Sequence, residues 1–342
     1  MAYQFKIPTA YSALTGEVAA WETTELQETT TLKQTMKILV ATEKPFARKA
    51  VEGIREIVEG AGFGLALLEK YTDKSELLSA VADADALIIR SDKVTAEVID
   101  AAKNLKIVVR AGAGYDNVDL AAASARGIVV MNTPGQNSNA VAELALAMMI
   151  FMARNRFTPG TGSEIQGKTL GIHAYGNVGR LVARKGKALG MRVAAFDPFV
   201  SDPEVFRADG VDQVSSVEEL YKMSDFLSLH IPATPETKGS IGYELLMSMP
   251  AGATLVNTAR KEVIDEAGLM RALAERDDLK YATDIAPAVQ PELEEKFGNR
   301  VFATAKKMGA ETAEANLNAG LAAARQIVDF FKTGCTRFQV NK

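Results

Sequence analysis

At 342 residues the chain exceeds one typical domain and suits two, and 47% hydrophobic against 24% charged residues is the profile of a globular protein with sizeable cores. Its 39 Lys and Arg against 43 Asp and Glu leave a net charge of −4 with no long basic run, which argues against a surface built to track nucleic-acid phosphates. The single cysteine, Cys335, excludes a disulfide within the chain and fits a reducing compartment, and the longest apolar run, LALAMMIFMA (144–153), is too short to span a bilayer.

Residues 1–35 lack the basic start and apolar core of a signal sequence, are rich in Thr, and are expected to be an appendage; the cytoplasm is the expected location. From Met36 the pattern predicts strands at KILVA (37–41), LALLE (65–69), ALIIR (86–90), KIVVR (106–110) and IVVMN (128–132). Helices are expected between them near 47–60, 74–82, 95–103 and 119–126. A helical stretch over 138–155 and a Gly- and Pro-rich loop over 156–167 follow. A second series then runs through TLGIH (169–173), RVAAF (192–196), FLSLH (226–230), ATLVN (253–257) and KYATD (280–284), again with helical spacers. Strands separated by helices imply parallel sheets, so the expected fold is α/β: two Rossmann-like or flavodoxin-like doubly wound domains. Near the end, TAKKMGAETAEAN (304–316) sets Lys306 and Lys307 just ahead of what reads as a helix start. Cations there oppose the helix dipole by roughly 0.3–1 kcal/mol each.

The strand TLGIH runs into AYGNVG (174–179) and then a helical segment, which is the context in which a glycine-rich turn holds a pyrophosphate. Tyr175, Gly176, Asn177, Val178 and Gly179 are the candidate contacts. Gly176 and Gly179 stand at the second and third glycine positions of G-x-G-x-x-G, and Ala174 stands at the first, where a positive φ would be resisted. Asp197 closes the next strand, placed to accept hydrogen bonds from ribose hydroxyls and to repel a 2′-phosphate, so NAD is favoured over NADP. The alternative is a structural turn in which Asp197 merely opens Asp-Pro.

The stretches RAGAGYDNVDL (110–120), NTPGQNSNAVAELALAMM (132–149), LGIHAYGNVGR (170–180), SLHIPATPETKGSIG (228–242), LVNTARKEVIDEAGL (255–269) and GAETAEAN (309–316) together resemble the D-isomer-specific 2-hydroxyacid dehydrogenases. The resemblance covers the chain from about Met36 onward. ALIIRSDKVTAEVID (86–100) and NTPGQNS are most similar to the members that oxidise 3-phosphoglycerate to 3-phosphohydroxypyruvate with NAD, the first step of L-serine synthesis. The resemblance implies a substrate domain of 36–133 plus 310–342, an NAD domain of 134–309, an active-site cleft between them, and a homodimer whose usual embracing insertion is shortened at 156–167. It also leaves no room before residue 342 for a serine-sensing domain, so that route of feedback is not expected.

By the same resemblance Arg260 binds the substrate carboxylate, with the backbone of Gly112, Ala113 and Gly114. The phosphate needs further cations, and Arg90, with Ser91 and Lys93 nearby, is the candidate because it follows a strand end expected to face the cleft, the alternative being a surface arginine that closes a strand; His230, Pro232, Thr237, Thr258 and Asp284 are expected by the cofactor. No metal is assigned. The family's Pro-His pair is replaced: Lys306 stands at the proline and Lys307 at the histidine. The glutamate that orients the histidine is Val289 here. A lone lysine needs no tautomer fixed, so the joint change fits Lys307 as general base, provided its pKa is lowered by Arg260, Lys306, partial burial and the helix start. A hydroxypyruvate or glyoxylate reductase and a non-catalytic NAD-sensing, corepressor-like protein remain the alternative readings.

Overall fold

A computed structural model of the protein describes residues 35–341, so the expected appendage lies, but for Thr35, outside the described residues. Two parallel sheets make up the framework. The first is built from β1 (Lys37–Thr42), α1 (Arg48–Gly60), β2 (Gly64–Glu69), α2 (Lys74–Val81), β3 (Ala86–Ile89), α3 (Ala96–Ala101), β4 (Ile107–Arg110), α4 (Leu120–Ala125) and β5 (Val129–Asn132). Its strand order is β2-β1-β3-β4-β5, the flavodoxin-like arrangement. Helix α5 (Ser138–Ala153) leads to the second sheet.

That sheet comprises β6 (Thr169–His173), α6 (Asn177–Ala188), β7 (Arg192–Phe196), α7 (Glu204–Asp209), β8 (Asp212–Gln213), α8 (Val217–Met223), β9 (Phe226–Leu229), α9 (Tyr243–Ser248), β10 (Thr254–Asn257), α10 (Glu266–Glu275), β11 (Lys280–Thr283), α11 (Gln290–Phe297) and β12 (Val301–Ala303). The order β12-β11-β10-β9-β6-β7-β8 is the Rossmann one, reversing between β6 and β9. Apolar residues on both faces of the inner strands explain the arrangement: β3, β9 and β10 are buried throughout, and only helices on each side can cover them. The edge strand β8 is exposed at both residues.

The last helix, α12 (Ala313–Thr333), returns to the first sheet. Ala319, Ala323, Ala324 and Ile327 pack with Ile38, Val40, Ile54 and Val58 in one buried cluster. Each fully buried Ile or Val there contributes about 1.5–3 kcal/mol relative to exposure. Gly334 ends the helix in the left-handed conformation (φ 72°). The tail then joins β5: Val340 N–H donates to Val130 O, and the buried Asn341 side chain accepts from Val130 N–H and donates to Ile128 O.

The start of α12 differs from expectation. The first helical residue is Ala313, and the hydroxyl of Thr312 caps it by accepting from Ala315 N–H at 3.1 Å. Lys306 and Lys307 therefore lie in a loop well before the helix, and its dipole is not what acts on them. The physical reason is the cap: the Thr312 hydroxyl supplies an acceptor for an otherwise unpaired N–H of the first turn and so fixes the start at Ala313.

Candidate active site

The turn after β6 sits where the second sheet reverses strand order, at the carboxyl end of its central strand. Ala174 has φ 80°, a conformation alanine resists, so the missing first glycine is accommodated as strain. Asp197 pins the turn: its Oδ2 accepts from Tyr175 N–H at 2.8 Å and its Oδ1 from Phe199 N–H at 2.9 Å. A Cβ on Gly179 would stand 2.2 Å from Ala174 O, so only glycine lets α6 approach the turn this closely. Gly176 and Asn177 open the 12-residue α6 and are exposed, and a Cβ at Gly176 would meet nothing within 4 Å. The helix start thus presents free N–H groups to an open space, the arrangement that binds pyrophosphate.

Tyr175 departs from the expected set. Its ring is 1% exposed, stacks on Phe206 at 4.6 Å, and donates its hydroxyl to Asp209 at 2.9 Å. Arg180 and Arg184 hold the same carboxylate. The side chain is a core group, because an aromatic ring with a buried acceptor for its hydroxyl is more stable there than over an exposed turn. Its N–H is already given to Asp197.

Behind the turn stand two histidines. Burial pushes His173 down to about 4, partly opposed by Asp197, and His230 down to about 3, with His173 adding to the effect. Both rings are neutral at physiological pH, so neither is a standing cation for a phosphate. His230 Nε2 and Thr258 Oγ1 are buried without a hydrogen-bond partner among the described residues. Orphaned buried polar atoms of this kind call for a partner outside the chain, and a dinucleotide offers several. Val178 lies half-buried behind the turn. Thr237 braces its own loop, donating to Pro232 O at 2.6 Å and accepting from Thr234 N–H at 2.8 Å. The residues at this site fit a dinucleotide.

A cluster of cations lies across from this turn. Arg260 follows β10, its backbone held by Asn257 Nδ2 donating to Arg260 O at 2.9 Å. Its guanidinium reaches the first sheet: Nη2 would be 3.7 Å from a Cβ on Gly114. Arg110, which closes β4, is the residue that sequence reasoning did not single out. Its guanidinium occupies the space over Gly112, whose φ is 150° and whose Cβ would stand 1.5 Å from Arg110 Nη1. Arg110 is pushed below the usual guanidinium range by burial, then by Arg90, with Arg260 acting in the same direction against Asp116 and Glu311. A signal existed: ALIIR and KIVVR end adjacent parallel strands in arginine, and Arg110 Nε donates to Arg90 O at 3.0 Å.

The expected substrate contacts divide. Arg90 is tied to Asn316 Oδ1 at 2.5 Å and to Lys44 O and Pro45 O, over the ring of Phe46. Ser91 and Lys93 are exposed, while Asp92 between them is buried and accepts from Glu43 N–H and Tyr71 Oη. Gly112 N–H is already given to Arg110 O, a tight turn that takes it out of the expected trio; the N–H groups of Ala113 and Gly114 donate to no protein acceptor among the described residues.

Lys307 completes the cluster. It stands in the loop 304–312 after β12, on the open side of the cleft. Its pKa is lowered from the ordinary lysine value by loss of hydration first, then by Arg260 and Arg110, against Asp284 and Asp116. Lys306 beside it is exposed, as Lys307 itself is, and of the expected influences on Lys307 it and the helix start are not among the causes. The loop is clamped by Asp284, 1% exposed, which was expected beside the cofactor. Its Oδ1 accepts from Met308 N–H at 2.8 Å and Thr304 Oγ1 at 3.0 Å, and its Oδ2 from Gly309 N–H at 2.8 Å. Both carboxylate oxygens thus hold the segment that carries Lys307. Val289, where an orienting glutamate was expected to be missing, precedes α11 and packs on the core of the second sheet.

Residues 149–305, which include every strand of the second sheet, match the profile described as D-isomer specific 2-hydroxyacid dehydrogenase, NAD binding domain. The chain is 38% identical over 271 residues to the D-3-phosphoglycerate dehydrogenase of Methanocaldococcus jannaschii, covering 74% of this chain and 51% of that protein. It is 38% identical over 275 residues to the hydroxypyruvate reductase of Thermotoga maritima, covering 75% and 88%. Among solved structures, NAD+-bound 3-phosphoglycerate dehydrogenase of Entamoeba histolytica superposes with a TM-score of 0.80 at 51% identity, covering 90% of this chain and 99% of that one.

The chain belongs to the D-isomer-specific 2-hydroxyacid dehydrogenases. Its second sheet is the family's NAD-binding domain, and NAD is its cofactor. The chain spans about half the length of the first curated relatives it matches. Among the described residues no helix is long and apolar enough to cross a membrane.

Proposed function

We propose that this dehydrogenase oxidises 3-phospho-D-glycerate to 3-phosphohydroxypyruvate with NAD, the first step of L-serine biosynthesis. The observation that carries the reading is the convergence of the Arg90, Arg110 and Arg260 guanidinium groups at the carboxyl ends of the two sheets. A substrate with a carboxylate at one end and a phosphate at the other needs that much positive charge, and an unphosphorylated hydroxy acid does not. The 51% identity to the 3-phosphoglycerate dehydrogenase of Entamoeba histolytica supports it.

In this reading residues 36–133 plus 310–342 bind substrate and 134–309 bind NAD. Arg260 takes the carboxylate bidentately, helped by the free N–H groups of Ala113 and Gly114. Arg110 and Arg90 face the phosphate. Lys307 Nζ, neutral when the substrate enters, accepts the C2 hydroxyl proton as the C2 hydride departs, so no charge is left on the substrate oxygen. NAD, when bound, supplies the ring carbon that accepts the hydride. Asp284 fixes the loop so that Lys307 meets the hydroxyl without an orienting glutamate. The ammonium formed at Lys307 sheds its proton to water once product leaves. A homodimer in the cytoplasm completes the reading.

The test is NADH formation from 3-phosphoglycerate and from D-glycerate, with a trap for the oxo acid, in wild type, Arg110→Ala and Arg90→Ala. Loss of charge-assisted bonds to a phosphate should lower kcat/KM for the phosphorylated substrate about 10–100-fold and leave that for glycerate nearly unchanged. The Thermotoga relative favours a second reading, hydroxypyruvate reduction; equal efficiency with and without the phosphate would select it. NAD binding without turnover of any 2-hydroxy acid would instead select the sensor.

A further inference from the structure

We propose that Lys307 is also a covalent capture site: in the cleft its amine condenses reversibly with a small 2-oxo acid to form an imine. The proposal rests on the cleft being a 2-hydroxyacid site. It follows from what an amine can do that an imidazole cannot.

A base that takes the proton from the C2 hydroxyl must stand about 2.6–3.2 Å from that oxygen. The carbon one bond further on becomes a ketone when hydride leaves, and the adjoining carboxylate is held by the same Arg260 whether C2 is an alcohol or a carbonyl. Lys307 is therefore placed against an electrophilic carbon. Three observations keep its amine available. It makes no ion pair among the described residues. Asp284, the buried carboxylate that holds this loop, has both oxygens engaged by Thr304, Met308 and Gly309 and is not free to pair with it. Arg260 and Arg110 disfavour a third positive charge beside them and draw in the oxo-acid anion, while Asp284 and Asp116 oppose this only in part. A lysine beside another cation is the recognised arrangement for an amine that attacks carbonyls.

The step balances without an oxidant. The nitrogen lone pair forms a bond to C2 and the carbonyl π pair moves to oxygen, which takes up the proton that the nitrogen gives up. Loss of that hydroxyl as water, together with the second proton of the nitrogen, leaves a neutral C2=N bond between Lys307 and the acid. Forward turnover is protected, because Lys307 carries the substrate's proton when the ketone first appears and an ammonium does not attack. Capture requires an oxo acid entering an enzyme whose Lys307 is neutral. The adduct thus acts as a brake that grows with oxo-acid concentration and with pH.

The probe is hydroxypyruvate with sodium cyanoborohydride, applied to the full chain without NADH, followed by intact mass and peptide mapping. The expected result is one adduct at Lys307, formed faster at pH 9 than at pH 7 and slowed at least tenfold by 3-phosphoglycerate. It should persist in Lys306→Ala and vanish in Lys307→Arg that still binds NADH. Labelling absent from Lys307, or no faster there than at Lys306 and unprotected by 3-phosphoglycerate, overturns the proposal. NADH-dependent reduction of hydroxypyruvate by untreated enzyme is measured in parallel. Turnover without the label removes the imine and leaves the dehydrogenase; the label without turnover removes the dehydrogenase and leaves the imine.

Discussion

The two loops at the carboxyl ends of β6 and β12 are held in opposite ways. The turn at 174–179 is fixed by its backbone: a residue at positive φ, a helix N-terminus, and a glycine against which nothing larger fits. The loop at 304–312 is fixed by one side chain, Asp284, and has no regular structure before Ala313. A backbone cradle binds phosphate with whatever side chains surround it. A side-chain clamp leaves the loop free to change the residue it presents, which here is Lys307.

Breaking the cradle should have the largest effect on stability. In Gly179→Ala the new methyl group meets Ala174 O at 2.2 Å and Ile172 Cγ2 at 3.0 Å, and both belong to the core strand or its continuation. A loss of roughly 2–4 kcal/mol is expected in denaturant unfolding, together with weaker NADH binding.

Breaking the clamp should instead act on chemistry. Asp284→Asn keeps the shape but turns an NH2 group toward the N–H of Gly309 or Met308, so one hydrogen bond becomes a donor facing a donor. We expect kcat to fall about 10–100-fold, the range of a misplaced base. Because the Asp284 charge favours protonated Lys307, its removal should also move the alkaline limb of the rate to lower pH. A change in melting temperature with an unmoved pH profile would mean that Asp284 is structural alone.

Acid should test the floor beneath the cradle. His173 is held down to about 4 and His230 to about 3, and both take up protons near 6.5 when unfolded. The unfolded chain binds more protons between those values, so this contribution is complete above about pH 6.5 and is lost as pH falls toward 4. Up to roughly 3 kcal/mol for each histidine should disappear over that window in urea titrations, and His173→Gln should flatten the slope. The smallest effect sharpens the comparison from the other side: Ala174→Gly relieves a φ of 80° and should stabilise by about 1 kcal/mol.

The cradle was readable in the sequence because its cause is local. Strand, glycines, helix and Asp197 follow one another, and the departure at Ala174 marks the strained residue. The inner strands were readable as continuous apolar runs, whereas β8 and β12, with two and three residues, are too short to leave a pattern. Tyr175 was misread because a position in a motif does not say where a ring points; Phe206 and Asp209, far along the chain, decide that. Asp284 and Arg110 act through groups separated from them by 20 residues or more, and the start of α12 is set by a threonine cap that an alanine-rich stretch concealed.

The most direct test of the account is the pH dependence of NADH formation from 3-phosphoglycerate between pH 6 and 10 for wild type, Lys307→Ala and Lys306→Ala. A lone lysine base predicts a rate that rises with pH along a limb centred below the ordinary lysine value of 10.5, lost with a drop of about 10²–10⁴-fold in Lys307→Ala and kept in Lys306→Ala. A limb that survives in Lys307→Ala, or disappears in Lys306→Ala instead, would contradict it.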